Sequence, residues 1–242
     1  MVIMMNSRFL KSKYWLDWFF PNRCPICNQV IHWNELICKN CSDKLPFCDI
    51  DKNINKRLHT DSSFSLMYYK DNAINGIYAL KNNNGINFAE FACKRLSEYM
   101  IVQEISESID IVTCVPMAKK KIRKRGYDQA EIIARFMSKF LHKPLDLSLL
   151  MRSNSKTEQH KLNAEERKMN AEKAYSISPK HNDITGKRIL ICDDVITTGS
   201  TINKCADLLR EIGADKVYSL SICKTSDCMN ICSDEYMNMD EV

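Results

Sequence analysis

The sequence predicts an α/β domain built on a parallel sheet, with a small metal-binding module ahead of it. Three stretches carry that prediction. Ile189 to Cys192 is a short apolar run, followed at once by Asp193-Asp194, a small-residue segment and a helical pattern. Ile109 to Val115 is a second apolar run, and a helical pattern from Tyr127 to Leu141 lies downstream of it. Strands alternating with helices are the pattern of parallel α/β sheets. Nearer the N-terminus, Cys24-Pro-Ile-Cys27 and Cys38-Lys-Asn-Cys41 have the spacing of metal-binding knuckles.

Composition agrees with this class. A chain of 242 residues, 45% hydrophobic, can hold one large domain and a small module around a real core. Glycine and proline number only six each, which excludes fibrous and low-complexity classes. The formal charge of +5 is unevenly spread. Residues 225–242 carry Asp227, Asp234, Glu235, Asp240 and Glu241 but no Lys or Arg, so the rest is more basic than the total. Twelve cysteines could mean a disulfide scaffold. Against that, no apolar run with a cleavage site follows Met1, and no run reaches the length of a membrane span. Cys93, Cys114, Cys192 and Cys205 fall in apolar elements, where thiols behave as small hydrophobes. A reducing cytoplasm is the expected compartment.

In chain order, Lys13 to Phe20 reads as a short aromatic helix ended by Pro21. The two Cys-x-x-Cys pairs follow, ten residues apart. Cys24, Cys27, Cys38 and Cys41 complete a tetrahedral zinc shell with no open position, so the zinc is structural. A redox pair is disfavoured, because no βαβ pattern surrounds either motif. Cys48 and His59 are spare ligands, too few for a second site. Polar residues 49–63 read as a linker. Ser65 to Tyr69 is a strand, and Asn72 to Leu80 and Asn87 to Val102 are helices. Expected boundaries are 1–60 for the module and linker, 61–225 for the α/β domain and 226–242 for an acidic tail.

After the strand ending at Val115 comes a loop, Pro116 to Gly126, in which six of the seven residues from Lys119 to Arg125 are basic. Lys119, Lys120, Lys121, Arg123, Lys124 and Arg125 sit past the end of a buried strand, where ligands bind in α/β sheets. Such a run repels itself unless an anion relieves it. Leu150 to Tyr175 is a long polar excursion that reads as a lid. Lys216 to Cys223 is the last strand.

The segment after Cys192 is the most specific. Thr197, Thr198, Gly199, Ser200 and Thr201 lie where a helix begins, so amide hydrogens and hydroxyls face outward to an anion. Asp193 and Asp194 would repel that anion; they suit the hydroxyls of a sugar that carries it. A nucleoside-triphosphate loop is disfavoured, since no Gly-Lys-Ser/Thr stands at the required spacing.

Ile191 to Thr201 closely resembles the phosphoribosyl-pyrophosphate (PRPP) loop of type I phosphoribosyltransferases. With the four-cysteine module ahead of it, the whole chain resembles the ComF family, associated with natural competence and DNA uptake. Val115-Pro116 with Arg123 and Arg125 to Ala130 match that family's pattern, as do Leu150, Arg152, Thr157, Gln159, Leu162, Glu166-Arg167 and Asn170. The resemblance implies a type I phosphoribosyltransferase-like parallel sheet with flanking helices. It implies Asp193 and Asp194 on the ribose of PRPP with Mg²⁺, as the catalytic acids if transfer occurs, and Thr197 to Thr201 on the 5′-phosphate. The Val115 to Gly126 loop takes the pyrophosphate position, and Arg152 to Asn170 form the hood. Two functions are compatible with this: handling of single-stranded DNA alongside other competence proteins with a retained PRPP site, or active ribosyl-phosphate transfer to an unknown acceptor.

Overall fold

The computed structural model describes residues 21–50, 58–82, 85–152 and 174–225. Its frame is a four-stranded parallel sheet in the order β1-β6-β5-β2, formed by Ser62–Tyr68 (β1), Ile111–Cys114 (β2), Arg188–Ile196 (β5) and Lys216–Lys224 (β6). Leu150–Arg152 (β3) and Tyr175–Ile177 (β4) form a separate antiparallel pair. The helices are Lys39–Ser42 (α1), Asn72–Lys81 (α2), Ile86–Val102 (α3), Lys119–Arg125 (α4), Gln129–Leu141 (α5) and Ser200–Glu211 (α6).

Strand β5 shows why the central run is apolar throughout. Its side chains alternate between two cores. Leu190 and Cys192 join α2, α3 and α5 on one face, where Phe88, Leu96, Ile133 and Met137 are fully buried. Ile189 and Ile191 join α6 on the other, with Ile202, Cys205 and Leu209. A strand covered on both faces has no polar side to offer, so it reads as a continuous hydrophobic run. The apolar stripes of α3, α5 and α6 face these cores, with Tyr99, Phe140 and Ile212 half-buried at their margins, and Cys93, Cys114, Cys192 and Cys205 lie in the core. In β6 the buried polar residues are matched across the sheet: the Ser221 and Ser65 hydroxyls lie 2.8 Å apart.

The cysteine module is packed onto the first core. Cys24, Ile37, Cys41 and Leu45 are part of that cluster. Residues Pro46 to Cys48 run beside β1, with Tyr68 N–H donating to the Pro46 carbonyl and Cys48 N–H to that of Leu66. They therefore cover an edge that would otherwise present unpaired backbone groups. Arg95 of α3 lies over the rings of Phe47 and Phe91, at 5.6 and 5.4 Å from their centroids. Leu58 is buried, His59 Nδ1 meets Asp207 at 2.9 Å, and Asp61 accepts from Arg210 at 2.7 Å. Residues 58–61 are thus tied to α6.

Several segments differ from the sequence reading: β1 begins at Ser62, inside the expected linker, and β3 and β4 flank the expected lid as a paired ribbon. The basic run is the helix α4 within the expected loop. Lys and Arg are good helix formers, three cations fall in the last turn where the helix dipole favours them, and Gly126 caps the end at φ 91°. Strand β5 also continues past Cys192 through both acids to Ile196, because β6 keeps pairing with it: Val195 opposes Cys223 and Ile196 opposes Lys224. The polar excursion from 153 to 173, the aromatic segment before Pro21 and the acidic tail lie outside the described residues.

At the opposite end of the sheet, Arg188 binds Asp110 through Nε and Nη2 at 3.0 and 2.9 Å, and its own backbone N–H adds a third bond at 2.9 Å. The bound guanidinium holds the Asp110 carboxyl down to about 2. A carboxyl depressed in this way stabilises the fold above its unfolded value of about 4, and that contribution is lost as pH falls through about 2. Both partners are about a third exposed, so the expected contribution is reduced to about 1 kcal/mol. Asp110→Asn should therefore lower unfolding free energy at pH 7 by about that amount. The gap between variant and parent should close as pH is lowered from about 4 to 2, measured by urea denaturation.

Candidate functional site

The C-terminal ends of β5 and β2, the start of α6 and the α4–α5 connection surround a cavity of about 260 Å³. Asp193, Asp194 and Thr201 line one side, and Lys121, Arg125, Asp128 and Gln129 come from α4 and the start of α5. Lys81, Arg152 and Tyr175 complete it from other parts of the chain.

Each wall has a local cause. The acids are carried in on the buried strand β5. Asp194 N–H donates to Asp193 Oδ1 and Val195 N–H to Asp194 Oδ1, both at 2.8 Å, which holds the two carboxyl groups within the C-terminal part of β5. Desolvation and the neighbouring Asp194 charge push Asp193 well above the usual carboxylate range. A site of this kind favours a cation or hydroxyl donors, either of which relieves the pair.

The turn into α6 is built on Gly199, at φ 79°. A Cβ there would run into Leu58 as well as strain the backbone. Ser200 N–H donates to Thr198 Oγ1 at 3.4 Å. Thr201 reaches the cavity, while Thr197, Thr198 and Ser200 are exposed around the helix start.

Asp128 is a buried cap. It accepts from Ala130 N–H at 2.9 Å and Glu131 N–H at 3.4 Å, and from Met117 N–H at 2.9 Å, tying the 115–118 segment to α5. Burial raises its carboxyl despite those bonds. Next to it, the Tyr127 hydroxyl donates to the Leu80 carbonyl, which fixes the end of α2 and with it Lys81. Across the cavity, the Arg152 guanidinium lies over the Tyr175 ring at 5.1 Å, as its strand partner.

The structure thus sorts the basic run. Lys121 and Arg125, one helical turn apart, line the cavity; Lys119, Lys120, Arg123 and Lys124 are exposed and do not. Among the expected hood residues only Arg152 is described. Lys81, Asp128, Gln129 and Tyr175 are lining residues to which the sequence reading assigned no role. Lys81 and Tyr175 have no local motif; Asp128 and Gln129 stood in a recognised stretch, and the cap pattern before α5 was their signal.

The cysteine module forms a second, separate site. The sulfurs of Cys24, Cys27, Cys38 and Cys41 all lie within 4.8 Å of one another. Cys27 and Cys38 are 3.7 Å apart, against about 3.8 Å for the edge of a zinc–thiolate tetrahedron with bonds of about 2.3 Å. Burial pushes the Cys24 thiol up, but the backbone N–H groups of Cys38, Cys27 and Ile26 outweigh it and bring it down to about 7. Asn28 takes φ 61° in the turn that follows Cys27. This donor set fits zinc. Cys48 points elsewhere, donating to the Ser65 carbonyl at 3.0 Å, and His59 is held by Asp207.

Residues 87–229 match the phosphoribosyl transferase domain, and residues 15–53 match a double zinc ribbon domain. Among the described residues one four-cysteine set is present. Competence protein F of Haemophilus influenzae is 33% identical over 103 residues, 43% of this chain and 45% of that protein. DNA utilization protein YhgH of Escherichia coli is 32% identical over 116 residues, 48% of this chain and 50% of that protein. In these two the match spans about half the relative's length. YhgH of Salmonella typhi is 23% identical over 207 residues, covering 84% of this chain and 90% of that protein. With a phosphoribosyl transferase domain over most of its length and a zinc ribbon ahead of it, the chain belongs to the ComF family of phosphoribosyltransferase-domain proteins.

Proposed function

We propose that this protein handles single-stranded DNA during DNA uptake in the cytoplasm and keeps a PRPP site in its phosphoribosyltransferase domain. The observation that carries this is the division of the basic helix α4. Two of its cations line the cavity beside Asp193, Asp194 and Thr201, and four stay outside it. The inner pair suits the pyrophosphate of PRPP. The outer four exceed what one small ligand can use, and suit a phosphate backbone. The names of the relatives, a competence protein and a DNA utilization protein, support the same reading.

In the proposed site Asp193 and Asp194 hold the ribose hydroxyls with Mg²⁺. The exposed donors from Thr197 to Thr201 hold the 5′-phosphate at the α6 N-terminus. The zinc is structural, because all four positions are cysteine sulfurs and none is left for water or substrate. Its role is to stabilise the small module that covers β1.

Calorimetric titration with PRPP and Mg²⁺ tests the site. PRPP at about 100 times its Kd should stabilise the protein by about 2.7 kcal/mol, seen as a raised melting temperature. The double variant Asp193→Asn with Asp194→Asn should fold and show no such rise; a rise equal to the parent's would remove these residues from the site.

Single-stranded DNA binding should weaken steeply with salt, because each neutralised phosphate releases counterions. Replacing Lys120, Arg123 and Lys124 with Ala should flatten the log–log salt slope by about two units while PRPP affinity survives. Fluorescence anisotropy at several salt concentrations reads both, and an unchanged slope would count against the DNA role of α4.

Metal analysis should find one zinc per chain. Cys38→Ser should lose it and unfold the module first, since metal binding supplies much of the folding energy of so small a unit.

A further inference from the structure

Gly199 is the buried residue of the turn from Thr197 to Thr201; Thr197, Thr198 and Ser200 on either side of it are exposed. What covers it comes from far away in the chain. A Cβ on Gly199 would lie 2.2 Å from Leu58 Cδ2, so the leucine methyl fills the place of the side chain that glycine lacks. Leu58 is itself buried, in the same core as Ile196 and Ile202, the residues on either side of the turn.

The residues after Leu58 are strapped to one face of α6. His59 N–H donates to Asn203 Oδ1 at 2.8 Å, and its Nδ1 meets the two carboxylate oxygens of Asp207 at 2.9 and 3.0 Å. Arg210 donates through Nη1 to the His59 carbonyl, and through Nη2 to Asp61 Oδ2 at 2.7 Å. Asp61 N–H donates to the Val217 carbonyl at 2.8 Å, and Val217 N–H donates back to Asp61 Oδ2 at 2.9 Å. Asn203, Asp207 and Arg210 follow one another at helical spacing, so they share a face. Helix α6 thus carries both the donors of its first turn and the anchors of the segment that presses on that turn. Donors on an exposed turn serve a ligand only if packing holds them to within about 0.5 Å.

Resting on the PRPP reading above, we infer that Leu58 is a positioning residue for the 5′-phosphate turn, held in place by the anchoring of His59 and Asp61 on α6. Leu58 has no polar side-chain atom to offer the ligand; it acts on the backbone that does. Loosening the strap at its far end therefore has the same effect as trimming Leu58.

Three variants of the full chain test this by calorimetry with Mg²⁺ present, using PRPP, ribose 5-phosphate and inorganic pyrophosphate as probes. Leu58→Ala removes the contact with the turn, and Leu58→Met keeps its volume. Arg210→Ala releases His59 and Asp61 from a point ten residues along α6 from Ser200, about 15 Å away. At a Debye length of about 8 Å, that is too far for the lost charge to act on a phosphate. Leu58→Ala and Arg210→Ala should weaken PRPP and ribose 5-phosphate at least about fivefold, within the range of changes that act through a packed network. Leu58→Met should stay within about twofold of the parent. Pyrophosphate, with its partners on α4, should stay within about twofold in all three variants. If the parent binds the sugar phosphates and either Ala variant binds them equally well, this inference falls and the PRPP reading stands. The same holds if pyrophosphate weakens as much as ribose 5-phosphate, or if Leu58→Met is as weak as Leu58→Ala, since the loss is then a general loosening. A parent that binds none of the three probes overturns both.

Discussion

The burial of β5 on both faces is the constraint on which the rest depends. A central parallel strand covered on both faces is largely apolar, its buried polar groups are small and paired, and a charged group has to sit where the cover ends. In this chain the transition is abrupt: Cys192 is fully buried and the next two residues are acids. The same strand therefore builds the core and delivers two carboxyl groups to the edge where the helices open. Because β5 sits between β6 and β2, any shift in its register would move the acids as well as the core, and the two are held together.

The charges at that edge come from different elements. Asp193 and Asp194 ride on β5, Asp128 caps α5, and the cations come from α4, the end of α2 and the β3–β4 pair. Three of the four cations have a neutral support: Gln129 beside Arg125, the Tyr175 ring under Arg152, and the Tyr127–Leu80 bond that fixes the end of α2 before Lys81. None of these supports is itself an acid, so the cations keep their charge available. Asp193 is left raised by its surroundings, which is a cost accepted at the cavity and offset by core packing elsewhere.

The zinc module joins this frame as an edge cover. Its Cys24, Cys41 and Leu45 share the first core, and Pro46 to Cys48 shield β1. Residues 58–61 then reach α6 and place Leu58 against the turn at Gly199. Residues 58–61 are thus bound to the helix that opens at the candidate phosphate position.

What the sequence determined is what depends on spacing. The two cysteine pairs, the apolar run ending in paired acids, the small-residue turn and the stripes on α3, α5 and α6 all follow from residues within one or two turns of each other, where local geometry fixes the outcome. The basic run was legible as charge but not as shape, because the propensity of Lys and Arg for helix competes with their preference for exposed loops, and the cap at Gly126 decides between them. Only the tertiary structure decided which two of six cations enter the cavity, and that Lys81 and Tyr175 meet residues far from them in the chain. Those outcomes are set by how helices pack on the sheet, and side chains brought together by packing leave no periodic trace in the sequence.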